Sequence, residues 1–115
     1  MDKLQIFNNP EFGEVRTFIE PDGTVLFCGN DIARILGYAS PKDAVARHCK
    51  GALKRRLLTD GGNQLTNFIP EGDVYRLMYK AAEQSTSPEI KERAEHFGSW
   101  IFDEVLPSIG SLEDT

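Results

Sequence analysis

Seven bases crowd into one stretch of this chain. Arg34, Lys42, Arg47, Lys50, Lys54, Arg55 and Arg56 fall between positions 34 and 56, with Asp43 the only acid among them. The stretch is therefore +6 in a chain of net −5, and the remaining residues carry −11. Lys and Arg at this density suit phosphate chemistry: each base that meets a phosphate neutralises it and releases condensed counterions. A competing reading of Lys54-Arg55-Arg56 is a charged strand edge that discourages edge-to-edge pairing. Three consecutive bases exceed what edge protection needs, so phosphate contact is the preferred reading.

Other chemistries are weaker. Cys28, His48 and Cys49 invite a metal, but zinc sites draw closely paired ligands from two places in the chain. Cys28 stands alone and His96 is distant in sequence, so core packing is expected and no metal or cofactor is assigned. Glu71 and Asp73 are explained by the preference for acids in the first turn of a helix. The run Asp60-Gly61-Gly62-Asn63 lacks the Lys-Ser/Thr of a phosphate-cradling P-loop. No nucleophile is paired with a base, and the chain is not expected to be an enzyme.

The basic stretch needs a scaffold, and the residues before it supply one. Ile32, Ile35 and Leu36 fall at i, i+3 and i+4, one face of a helix. Asn30 is placed to cap that helix, and Asp31 suits its positive end. Gly37 marks its end. Ser40-Pro41 opens a second helix, with Ser as cap and Pro at the first helical position. Ala44, Val45 and His48 continue it. Two helices joined by a short Gly-containing turn have the shape of a helix-turn-helix.

Around this pair the chain reads in order. Residues 7–12 form an Asn/Pro-punctuated entry. Residues 14–20 and 24–28 are strands joined by Pro21-Asp22-Gly23. Lys54 to Leu58 and Gln64 to Ile69 form a second hairpin whose turn is Asp60-Gly61-Gly62-Asn63. Val74, Leu77, Met78 and Ala81 mark a third helix, with Tyr75 and Tyr79 flanking its stripe. Ile90, Ala94, Phe97, Ile101 and Val105 mark a long fourth helix that Pro107 is expected to stop. The aromatics Phe97, Trp100, Phe102, Tyr75 and Tyr79 are expected to be mostly core, with any exposed subset available for a dimer or partner surface. The expected fold is α+β: two antiparallel hairpins, a helix-turn-helix-like pair of short helices and two longer C-terminal helices.

The 115 residues suggest one domain over 1–109 and a flexible tail over 110–115. Hydrophobic content of 40 % and charged content of 27 % suit a soluble globule. No apolar run approaches the ~20 residues that span a membrane. The N-terminus lacks a secretion signal, so both cysteines are expected to be reduced thiols in the cytoplasm.

Several blocks, in order, resemble one family. They are Phe12-Gly13-Glu14-Val15-Arg16, the run from Phe27 to Tyr38, Ala46-Arg47-His48-Cys49, the run from Ile69 to Leu77, and the run from Phe97 to Ile109. Together they resemble the Bro-N domain, the N-terminal domain of viral Bro proteins and phage antirepressors. The resemblance covers nearly the whole chain. It implies a prophage-encoded regulator of transcription in a bacterial host, with double-stranded DNA as partner. Many members carry a second domain, for which this chain has no room. Members also tend to carry a basic pair where Gly110-Ser111 stands here.

The DNA-contacting residues are expected to be Arg34, Ser40, Lys42, Arg47, Lys50, Lys54, Arg55 and Arg56. Ser40 and Lys42 open the second helix, where phosphates and base edges are within reach. The alternative is a protein-interaction module that binds a repressor or another viral or host protein. Its contact surface would be the acidic closing helix, with Glu89, Glu92, Glu95, Asp103 and Glu104. A homodimer is a further possibility.

Overall fold

The structure, a computed structural model, describes residues 3–59, 62–84 and 87–113. Five strands form one sheet: β1 (Lys3–Asn9), β2 (Gly13–Ile19), β3 (Val25–Cys28), β4 (Leu53–Thr59) and β5 (Gly62–Pro70). The order across the sheet is β1-β2-β3-β5-β4, and every neighbouring pair is antiparallel. The helices are α1 (Gly29–Ile35), α2 (Pro41–His48), α3 (Glu71–Gln84), α4 (Pro88–Trp100) and α5 (Leu106–Glu113), with a π-helical turn at Ile101–Val105 between the last two. The fold class is α+β, as the order of hairpins and helices implied.

Three expectations need correction. The entry over residues 7–12 is the end of an edge strand and the turn after it: β1 pairs with β2 from Lys3↔Ile19 to Asn9↔Gly13. Its Asn-Pro punctuation belongs to the turn, where Asn9 Oδ1 accepts the Glu11 and Phe12 amides at 2.7 and 3.1 Å. Pro107 does not stop the last helix. Its ring would clash with the carbonyl four residues back in a regular α-helix. Here that carbonyl lies in the π-helical turn, whose wider winding takes it off the α-helical position, and the Leu106 amide donates to Ile101. Helix α5 then runs to Glu113. Asn30 is not the cap of α1, which begins at Gly29 after Cys28. Its Oδ1 is buried with no partner among the described residues.

The core has two parts, set by strand alternation. On one face of the sheet, Val15, Ile19, Phe27 and Ile69 pack with Ile32, Val45, Val74, Leu77, Phe97, Ile101 and Ile109 of the helical layer. On the other face, Leu26, Cys28 and Phe68 form a small buried cluster with Phe18 against them. No helix among the described residues is long and apolar enough to cross a membrane.

Candidate nucleic-acid interface

Two buried carboxylates fix the segment that carries the bases. Asp31, in the first turn of α1, accepts the Arg16 backbone amide, its Nε and its Nη2, each at 3.0 Å. Arg16 Nη2 also donates to Cys28 Sγ at 3.3 Å. The hydrogen bonds to Asp31 hold the Arg16 guanidinium pKa above its ordinary value, against the opposing effect of burial. This network clamps α1 to β2. Gly29 lets α2 close on α1: a Cβ there would lie 2.8 Å from Val45 Cγ2.

Asp73 does the equivalent work at the far end of α2. Its Oδ1 accepts the Lys50 amide at 3.1 Å and its Oδ2 the Gly51 amide at 2.7 Å. The acid expected to serve the first turn of its own helix therefore also anchors the segment between α2 and β4. Tyr38, just after α1, donates its hydroxyl to the Leu77 carbonyl at 2.8 Å, tying the α1–α2 connection to α3. Burial pushes the Tyr38 phenol up to about 12, and the Cys49 thiol likewise to about 12.

With that frame fixed, six of the eight residues expected to contact DNA fall into three exposed pairs. Ser40 and Lys42 are exposed at the start of α2, where Ser40 holds the cap position without a side-chain cap bond. Arg47 and Lys50 are exposed at and just beyond the end of the same helix. Lys54 and Arg56 are exposed on β4, two residues apart and so on one face of the strand. Arg55 turns to the other face and is half-buried, with its guanidinium on the Glu20 carboxylate. Strands β3 and β5 lie between β4 and β2, so this ion pair spans the sheet beside Leu26, Cys28 and Phe68. Arg34 lies apart: it donates to the Glu14 carbonyl at 3.2 Å and lines a cleft with Glu11, Glu89 and Glu92.

Four further residues join the basic side, and the sequence reading did not assign them to it. Tyr75, Arg76, Tyr79 and Lys80 of α3 face Arg47, His48 and Lys50 across a cleft of about 510 Å³. Among the aromatics expected to be mostly core, Tyr75 and Tyr79 form the exposed subset, at 45 % and 69 % exposure. The signal was present as a Tyr-base pair repeated four residues apart, Tyr75-Arg76 and Tyr79-Lys80, a spacing that puts both pairs on one helix face. The acids Glu89, Glu92 and Glu95 are exposed on α4.

Cys28 and Cys49 are free and lie in different parts of the core, Cys28 in the small cluster and Cys49 against the helical layer. Among the described residues no three His, Cys, Asp or Glu side chains gather to hold a metal.

Comparison with known proteins matches residues 14–107 to the N-terminal domain of the BRO family. An uncharacterized protein of Haemophilus influenzae is 42 % identical over 97 residues, which are 83 % of this chain and 44 % of that protein. The chain thus spans less than half the length of that relative. No solved structure matches.

Proposed function

The chain belongs to the BRO family through its N-terminal domain, and from that membership we propose that it is a DNA-binding regulatory domain of the phage antirepressor kind. It acts on transcription in the cytoplasm of a bacterium that carries the prophage, and no catalytic step is part of its action. The α1–α2 pair is the docking unit. Lys42 and Ser40 meet the duplex at the start of α2, and Arg47, Lys50, Lys54 and Arg56 hold its phosphates. Arg34 and Arg55, whose guanidinium groups serve contacts within the protein, add little.

One observation carries this reading. Lys42, Arg47, Lys50, Lys54 and Arg56 are all exposed, and among the described residues none has a carboxylate within 4.0 Å. Cations without internal partners in an acidic chain are available to a polyanion and are otherwise unexplained by the fold. Each phosphate contact steepens the dependence of log affinity on log salt by about 0.9. The test is a duplex titration by fluorescence anisotropy at several salt concentrations. Lys54→Ala with Arg56→Ala is expected to weaken binding to all duplexes alike and to flatten the slope by about two. Lys42→Ala is expected to change preference among sequences, as a residue that reaches base edges does. Absence of duplex affinity at low salt refutes the proposal.

A second reading is favoured by the exposed acids of α4. Glu89, Glu92 and Glu95 offer a surface to a basic partner such as a repressor. If duplex affinity is absent while charge reversal on α4 abolishes capture of such a repressor, this reading replaces the first.

A further inference from the structure

We infer that the cleft between the end of α2 and helix α3 is a small-molecule site for a free nucleoside diphosphate, with the base against Tyr79 and the phosphates among Arg47, Lys50, Arg76 and Lys80. The cleft of about 510 Å³ has the size of a ligand pocket. Its walls combine the two features that such a ligand needs.

The first is an aromatic face. The Tyr75 ring is already stacked on Phe102, with centroids 4.5 Å apart and planes at 20°, and its hydroxyl donates to Glu71 at 2.8 Å. Hydrogen bonding to that carboxylate also raises the Tyr75 pKa, so the phenol stays neutral. Tyr75 is a fixed wall. Tyr79, one turn further along α3, is 69 % exposed and offers its ring to the solvent side of the cleft. A single stacking platform suits one base; binding along a single strand relies on successive platforms.

The second feature is a set of four bases. Arg76 is matched by Asp73 at 3.4 Å and Lys80 by Glu83 at 3.4 Å. Asp73 is also engaged by the Lys50 and Gly51 amides. Arg47 and Lys50 have no carboxylate within 4.0 Å among the described residues. Among the described residues no carboxylate lines the cleft itself, although Glu71, Asp73 and Glu83 contact its walls, so a terminal diphosphate would meet four bases there where a single phosphodiester engages only some of them.

The experiment is calorimetric titration of the full chain with ADP, with sodium pyrophosphate, adenosine and an oligothymidylate as separate arms. ADP is expected to bind about tenfold more tightly than pyrophosphate, the difference that one stacked base supplies. Tyr79→Ala is expected to erase that difference and Tyr79→Phe to keep it. Lys80→Ala is expected to weaken ADP and pyrophosphate together. Equal affinity for ADP and pyrophosphate, no ADP binding at millimolar concentration, an unchanged Tyr79→Ala variant, or binding of the oligothymidylate without ADP each overturns the inference. Lys54→Ala with Arg56→Ala, which tests the duplex, is expected to leave ADP affinity unchanged, so failure of one proposal does not carry the other with it.

Discussion

At the scale of single residues, buried polar groups carry more of the architecture than their number suggests. Asp31 holds three donors of Arg16, one of them a backbone amide. Removing one partner of a buried pair leaves the other uncompensated, which costs about 3–5 kcal/mol. The Arg16 side chain keeps 28 % of its exposure, so water relieves part of the loss. Asp31→Ala is therefore expected to cost about 3 kcal/mol in denaturant unfolding. Tyr38 and Cys49 set a different limit. Their ordinary pKa values are 10.0 and 9.0, and burial raises each to about 12 in the folded protein. Above pH 9 the unfolded chain releases these protons while the folded chain retains them, so stability falls as pH rises from 9 towards 12. Tyr38→Phe and Cys49→Ala are each expected to flatten that alkaline decline, measured as the slope of unfolding free energy between pH 9 and 11.

At the scale of elements, the joint between α2 and β4 decides where the bases point. Asp73 holds it through two amides. An orphaned buried donor costs roughly 1–3 kcal/mol. Asp73→Ala is expected to lower stability by about 2 kcal/mol and to speed hydrogen exchange at Lys50 and Gly51 more than at Val45. Strand β4 then sorts its three bases by alternation alone. Arg55→Ala loses the ion pair with Glu20, a partly exposed contact worth about 1 kcal/mol or less. It is expected to leave the salt slope of duplex binding unchanged, whereas Lys54→Ala with Arg56→Ala flattens it. Equal slopes for the two variants would show that β4 does not present its residues by face to the duplex.

At the scale of the whole molecule, one helical layer packs on one face of a five-stranded sheet. Leu77 of α3 and Phe97 of α4 are fully buried in that layer. Phe97 also meets the Phe12 ring edge-on, with centroids 5.4 Å apart, which brings the β1–β2 turn into the same core. Truncating either residue to Ala is expected to cost roughly 2–5 kcal/mol, a large share of the roughly 5–15 kcal/mol typical of a domain. Near-native midpoints in denaturant for both variants would mean that the two helical stripes do not face each other.

Local periodicity was enough to locate most of this. The stripes Ile32/Ile35/Leu36 and Val74/Leu77/Met78/Ala81, the Ser40-Pro41 opening of α2, and the turn at Pro21-Asp22-Gly23 are short-range signals, and the fold class follows from their order. The segregation of charge was also legible, because it depends only on where the charged residues stand along the chain. Tertiary structure decided what depends on partners distant in the chain. β1 is a strand because β2 pairs with it, although the Asn8-Asn9-Pro10 run at its end reads as a loop. Pro107 is carried within a helix because Val105 and Ile109 are buried on either side of it and a π-helical turn absorbs the ring. Arg34 and Arg55 share the spacing of their basic neighbours, yet the Glu14 carbonyl engages the exposed Arg34 guanidinium and the Glu20 carboxylate that of half-buried Arg55. Tyr75 and Tyr79 flank an apolar stripe and so read as core; only the packing of α3 beside the end of α2 leaves them facing the bases at the surface.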